Sequence, residues 1–237
     1  MRRICASLLL LFAFVIFAAL GMWQLERRLW KHDLIARVEA RVHASPAPAP
    51  GPDQWPGVTR DASEYLHVSL AGRFADQGPE LTKAMTDLGA GFWAMAPFRT
   101  DDGWMVWVNR GFVANGAPAP PSPRSPQHVT GLLRITEPGG GFLRSNDPVQ
   151  HRWFSRDVEA LTQASGIKNA APYFVDLDTQ PQHTDWPKAG LTVIRFPDNH
   201  LVYALTWFAL AAGSAFGLWL LLFASQRPQE VAMQHSR

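Results

Sequence analysis

The chain has 237 residues and one cysteine, Cys5. No disulfide can form within it, and no cysteine-based metal site can be assembled. Its histidines stand at positions 32, 43, 67, 128, 151, 183, 200 and 235. None of them forms the i, i+4 pair that puts two metal ligands on one helix face. A Gly-rich phosphate loop, a G-x-S-x-G turn and an H-E-x-x-H helix are all missing. Charge of either sign is not in excess: 22 basic residues face 20 acidic ones, for a net +2. Such a balance offers nucleic acid no attractive field. The acidic pair Asp101-Asp102 falls in an apparent turn, where carboxylates are simply solvated. Ser155 beside Asp157 reads as the cap of a short helix before it reads as a nucleophile. Spacing alone yields no catalytic constellation, which weakens an enzyme reading.

Two stretches lack charge altogether. Ile4 to Trp23 and Leu201 to Ser225 are uncharged over 20 and 25 residues, and a membrane-spanning helix needs about 20. The first run follows a basic start, Met1-Arg2-Arg3. It is long for a cleaved signal, and Ala18-Ala19-Leu20-Gly21 is a poor cleavage site, so an uncleaved anchor is expected. Leu25, Leu29, Ile35 and Val38 continue the helical pattern with no breaker before Pro46. We therefore expect a first transmembrane helix over 1–25, a helical extension over 26–44, a domain over 45–198, a second transmembrane helix over 199–225 and a tail over 226–237. Two spans place both termini on one side, and a long middle domain is exempt from the positive-inside count. The expectation is cytoplasmic termini and a periplasmic domain on a bacterial inner membrane. Some of the ten tryptophans should anchor the helices at the lipid interface.

Ser45 to Pro52 reads as a stiff extended linker. Beyond it the strand candidates are Tyr65 to Phe74, Gly91 to Arg99, Trp104 to Val113, Val129 to Ile135, Tyr173 to Leu177 and Leu191 to Phe196. Thr100-Asp101-Asp102-Gly103 marks a hairpin between the second and third. A Pro-rich run from Ala117 to Pro126 predicts a loop. Ser155 is expected to cap a helix with Val158 and Leu161 facing inward and Gly166 ending it. The fold class is α+β: two transmembrane helices flank an extracytoplasmic antiparallel β domain, barrel-like, with a short helix.

His200 opens the second apolar run, where a titratable, ligand-capable group is a functional candidate. Positions 200, 203, 204 and 207 share one helical face, so an imidazole, a phenol, a methyl and an indole line one stripe. The plainer alternative is an interfacial helix start capped by Asn199, with Trp207 packed on Trp23. Gly213, Ser214, Ala215 and Gly217 form a small-residue patch that suits either a helix contact or lipid.

Four strings, in order, resemble one family. They are Leu20-Gly21-Met22-Trp23-Gln24-Leu25-Glu26-Arg27; Val108-Asn109-Arg110-Gly111-Phe112-Val113; Gly131-Leu132-Leu133-Arg134 with Phe142, Asn146-Asp147-Pro148, Trp153-Phe154 and Arg156-Asp157; and Asn199-His200-Leu201-Val202-Tyr203-Ala204-Leu205-Thr206-Trp207-Phe208. Together they resemble the surfeit locus protein 1 (Shy-type) family of cytochrome c oxidase assembly factors. The sequence departs from the family at Trp186-Pro187-Lys188-Ala189-Gly190 and at Phe196-Pro197-Asp198.

The resemblance implies a two-span membrane protein that helps build subunit I of the oxidase, with heme a synthase as a further partner. It also implies transient binding of heme a, with His200 as the contact to the heme iron. Imidazole is a usual ligand for heme iron. Trp23, Tyr203 and Trp207 would offer ring faces. Arg27, Arg28 or Arg195 would pair with the propionates, and Gln24 and Thr206 would hydrogen-bond across the spans. A scaffold that holds the oxidase subunit without heme is the alternative. An enzyme acting on heme or lipid is a third reading, for which no residue set speaks. For Asn109-Arg110-Gly111 the local reading is a sheet bulge with Arg110 paired nearby.

Overall fold

The computed structural model describes residues 2–119, 121–141, 143–179, 186–194 and 196–223. Phe142, Arg195 and the stretch from residue 224 on, including the expected tail, lie outside the described residues. The contacts divide the chain into two compact units. One holds the chain up to Ala36 together with the C-terminal helix, and the other is Arg37–Ile194.

The first unit contains two helices long and apolar enough to cross a membrane. Helix α1 runs over Arg2–Val42 and helix α4 over His200–Phe223. The expected extension of the first helix is present. No Gly or Pro interrupts the apolar repeat after Trp23, so nothing stops the helix before the Ser45-Pro46 breaker.

The second unit is a β-barrel with small helices. Its strands are β1 (Ala47–Pro48), β2 (His67–Phe74), β3 (Glu80–Thr86), β4 (Gly89–Thr100), β5 (Met105–Ala114), β6 (Gln127–Ile135) and β7 (Ala170–Leu177). Short helices α2 (Arg60–Ser63) and α3 (Val158–Ala164) complete it. Strands run in the order β2-β6-β7-β5-β4, and a further β2–β4 pairing closes the ring. Every pair in the ring is antiparallel except β5 with β7. β1 and β3 add to the outside.

Both β5 and β7 are buried on both faces, as a parallel pair requires. On β7, Tyr173 and Val175 join the inner cluster with Phe98, Val108 and Leu133. Phe174, between them, joins an outer cluster with Trp107, Trp153, Val158 and Leu161. Period-2 alternation thus fills the barrel and at the same time seats α3 on its outside.

Four expectations need correction. The linker is extended but docked: β1 pairs with β2, and the Tyr173 hydroxyl donates to the Pro50 carbonyl at 2.6 Å. Strand β3 carried little alternation and went unread; the Asp87-Leu88 turn and Gly89 fold it back on β4. Residues 191–194 of the expected last strand form no strand. Their β-branched composition suits one, but the ring is already closed and β5 has both neighbours. Asp157, not Ser155, caps α3, accepting the Ala160 N–H at 3.1 Å. Val158 and Leu161 are buried as expected, and Gly166 lies just past the helix at positive φ.

Candidate functional site

Within the first unit the two helices meet along a regular seam. On α4 the half-buried or buried positions include His200, Ala204, Trp207, Ala211, Ser214, Leu218 and Leu221, in alternating steps of four and three, with half-buried Phe208, Ala215 and Gly217 widening the stripe. That is the heptad spacing of knobs-into-holes packing. Facing positions on α1 include Phe17, Gly21 and Gln24. Phe17 and Trp207 stack with centroids 5.7 Å apart. Gly21 is needed because an added Cβ would lie 2.6 Å from the Phe208 ring. Small residues let the two backbones approach, the usual device where lipid removes the hydrophobic drive.

One polar contact crosses the seam near its end. His200 Nδ1 and Gln24 Oε1 are 2.8 Å apart. With the amide oxygen accepting, the ring proton sits on Nδ1 and the lone pair on Nε2. Just before α4, Asp198 gathers further groups. Its Oδ1 accepts the His200 backbone N–H at 3.1 Å, and its Oδ2 lies 3.0 Å from His32 Nε2 and 3.9 Å from Arg28 Nε. Lys31 donates to the Pro197 carbonyl. The His200 backbone N–H foremost, then the His32 hydrogen bond, hold the Asp198 carboxyl below its ordinary pKa.

The structure therefore brings His200 and Gln24 into contact and places Trp207 in the same seam. Tyr203 is 56% exposed and lies off the seam, as does Trp23 at 53%. Arg27 is exposed, its guanidinium 4.2 Å over the Trp30 ring. Trp207 packs on Phe17 rather than Trp23. Of the two residues expected to hydrogen-bond across the spans, Gln24 does so, to His200, whereas the Thr206 hydroxyl donates to the Val202 carbonyl of its own helix at 2.8 Å. A hydroxyl one turn from a helical carbonyl finds that partner without crossing to another helix. Of the small-residue patch, Ser214 is buried and Gly217 faces Leu10, whereas Gly213 faces open space.

The second unit holds a polar centre that spacing did not reveal. Asp176 is buried and accepts four groups. Asn109 Nδ2 and Arg156 Nη1 reach its Oδ1 at 2.8 and 3.1 Å; Arg134 Nη1 and the Thr192 hydroxyl reach its Oδ2, both at 2.9 Å. Glu64 takes Arg134 from the other side at 2.8 Å, and Glu137 grips Arg156 with both oxygens. Both guanidiniums also face the Phe174 ring. Burial opposes the charge on Arg134, but Asp176 and Glu64 outweigh it and raise its pKa. Five strands and loops are tied to one carboxylate in this way. Arg134 and Arg156 were visible in the third string, but nothing in a sequence says that two arginines share an aspartate.

Asn109-Arg110-Gly111 is the expected bulge. Trp93 pairs with Phe112 and Met95 with Asn109, so two residues of β5 face one of β4. Gly111 sits at φ +127, and an added Cβ would lie 2.3 Å from the Lys188 carbonyl. Arg110 donates to the Ser122 hydroxyl at 3.2 Å, and burial lowers its pKa.

The described residues thus form a five-stranded barrel in one unit and, in the other, two helices long and apolar enough to cross a membrane, joined by a histidine–glutamine contact. Comparison with known proteins gives the family. The SURF1 family model matches residues 11–212. The chain is 32% identical to surfeit locus protein 1 of Mus musculus over 231 residues, covering 88% of this chain and 72% of the mouse protein. The human protein gives 32% over 232 residues, 88% and 74%. A SURF1-like protein of Monosiga brevicollis gives 34% over 231 residues, 88% and 84%. The chain belongs to the SURF1 family.

Proposed function

We propose that this protein is a membrane-anchored assembly factor for cytochrome c oxidase, one that binds heme a and helps its insertion into subunit I. The observation that carries the heme reading is the 2.8 Å contact between His200 Nδ1 and Gln24 Oε1. It orients the imidazole and leaves Nε2 as the ligand nitrogen, the arrangement in which an outer hydrogen bond tunes a metal-bound histidine. Heme a would supply an iron atom for that nitrogen, an apolar disc and two carboxylates. His200 would hold the iron, Trp207 would pack in the adjoining seam, and Arg28 would meet a carboxylate at the rim. The exposed faces of Trp23 and Tyr203 suit an apolar ligand or a partner helix, and Arg27 adds charge nearby.

In this reading the two apolar helices span a bacterial inner membrane, both termini are cytoplasmic and the barrel is periplasmic. Subunit I and heme a synthase are the partners. The protein turns nothing over; it holds and hands on.

The test is an absorption spectrum of protein purified from membranes that make heme a, beside His200→Ala at equal yield. Heme a in the parent and none in the variant is the expected result. Heme in both moves the ligand elsewhere. Heme in neither, with oxidase assembly still dependent on the protein, favours a heme-free scaffold. One observation already speaks for that second reading: Gln24 and Asp198 give His200 local partners that would hold the helix pair without a ligand.

A further inference from the structure

The third string of the sequence serves none of the helix-pair chemistry, yet the structure assembles it with care. Asn146 Oδ1 accepts the backbone N–H groups of Phe154 and Ser155 at 2.8 and 3.3 Å. The Ser155 hydroxyl accepts from Asn146 Nδ2 and the Gly140 N–H, both at 3.0 Å. Gly141 and Arg144 exchange backbone hydrogen bonds at 2.8 and 3.1 Å. Leu143, in the turn, is held at φ +56, a conformation that costs a side-chain-bearing residue energy. This bonding holds the backbone at Arg144 and Phe154 and brings the exposed Arg144 guanidinium beside the Phe154 ring.

Strand β3 completes the arrangement from the other side. Lys83 donates its backbone N–H to the Trp153 carbonyl at 2.9 Å. Its ammonium lies 5.5 Å from the Phe154 ring centroid, and the Arg144 guanidinium lies 5.6 Å from the same centroid. A cavity of about 400 Å³ opens here, lined among others by Lys83, Met85, Phe92, Asn115, Arg144 and Phe154. Among the described residues, no carboxylate pairs with either cation. Two like charges on one ring repel each other, and an anion between them turns that repulsion into attraction. The ring faces and Met85 give an apolar wall next to the charge.

We propose that this cavity is a ligand site for an amphiphilic anion, a single carboxylate or phosphate ester on an apolar body. The anion lies between Lys83 and Arg144, and its body rests on Phe154, Phe92 and Met85. Arg144 presents the fork that suits either oxyanion, and Lys83 the point charge. Asn115 adds an amide to fix orientation. The site is independent of His200 and stands whether or not the protein carries heme.

The full chain in phosphatidylcholine nanodiscs is titrated calorimetrically with four probes: 3-phenylpropionate, phenyl phosphate, 3-phenylpropionamide and inorganic phosphate. At least one aromatic anion should bind about tenfold more tightly than both the neutral amide and inorganic phosphate. The preferred anion then separates a carboxylate ligand from a phosphate ester. Lys83→Met with Arg144→Met should abolish the charge preference while the thermal midpoint holds, since both side chains are exposed. Phe154→Ala should weaken the aromatic anions and leave inorganic phosphate unchanged. Equal binding of amide and anion, equal binding of inorganic phosphate, unchanged binding in the double variant, or no saturable binding by any probe would each overturn the proposal.

Discussion

The two units of this protein solve the same problem with opposite means. In the helix pair, the polar contact between the helices sits near one end, and the rest of the seam is small residues, leucines and one aromatic stack. In the barrel, a charged centre lies within the fold and the apolar clusters close around it. If the helix pair spans a membrane, as proposed, the difference follows from the surroundings. A helix satisfies its own backbone, so a pair in lipid needs only close fit and an occasional hydrogen bond. A closed sheet must hold strands that are far apart in sequence, and one carboxylate with four donors fixes several at once. Polar contacts in the first unit are therefore few and local, whereas the Asp176 cluster in the second is built into the fold.

The sharpest way to break this contrast is Asp176→Ala. Removing the shared acceptor leaves Arg134, Arg156 and Asn109 facing one another, and a loss of about 3–5 kcal/mol is expected. Urea unfolding of the full chain followed by near-UV circular dichroism measures it. A cost below that of the helix-pair variants would contradict the division of labour drawn here. Next in size is Gly111→Ala. Its positive φ and the Lys188 carbonyl leave no room for a methyl group, so at least about 2 kcal/mol should be lost in the same assay.

In the helix pair, Gln24→Leu should cost only about 0.6–1.7 kcal/mol in a helix-pair unfolding titration in detergent. A double-mutant cycle with His200→Ala should show that most of that cost is coupling between the two side chains. Additive single costs would mean the 2.8 Å contact does not matter energetically.

The smallest effect concerns pH. His67 lies 2.8 Å from Asp178 and 2.7 Å from the Ala44 carbonyl. Burial disfavours its charge, but the Asp178 hydrogen bond, the carbonyl and the negative charge together raise its pKa above the ordinary 6.5. A raised histidine stabilises the fold fully below that ordinary value and loses the contribution as pH climbs past the raised one. The thermal midpoint of the barrel should thus fall between pH 6 and pH 8, and His67→Asn should flatten the slope. A midpoint that rises over that range would show that His67 is not protonated in the fold.

Much of this architecture was legible from local pattern. Uncharged runs with their flanking residues marked both long helices, since length and composition are all that a spanning helix needs. The Thr100-Asp101-Asp102-Gly103 turn marked the central hairpin, and short apolar stretches marked β6 and β7. Strand β3 was hidden because its inward positions are Thr82, Ala84 and Thr86 while Met85 faces out, so polarity does not follow burial. The 191–194 stretch looked like a strand because composition cannot tell whether a sheet edge is free.

The candidate site divides along the same line. His200 and Gln24 drew attention as residue types in strings at the ends of apolar runs. That they touch, and that Tyr203 and Trp23 turn away, depends on the rotation of each helix about its axis, which the seam of small residues sets. By itself the sequence determined the two long helices, most of the barrel strands and which segments carry ligand-capable groups, because those follow from neighbours along the chain. Only the tertiary structure decided that Asp176 gathers two arginines and that Lys83 and Arg144 share one ring. Such meetings join residues tens of positions apart, and packing rather than periodicity brings them together.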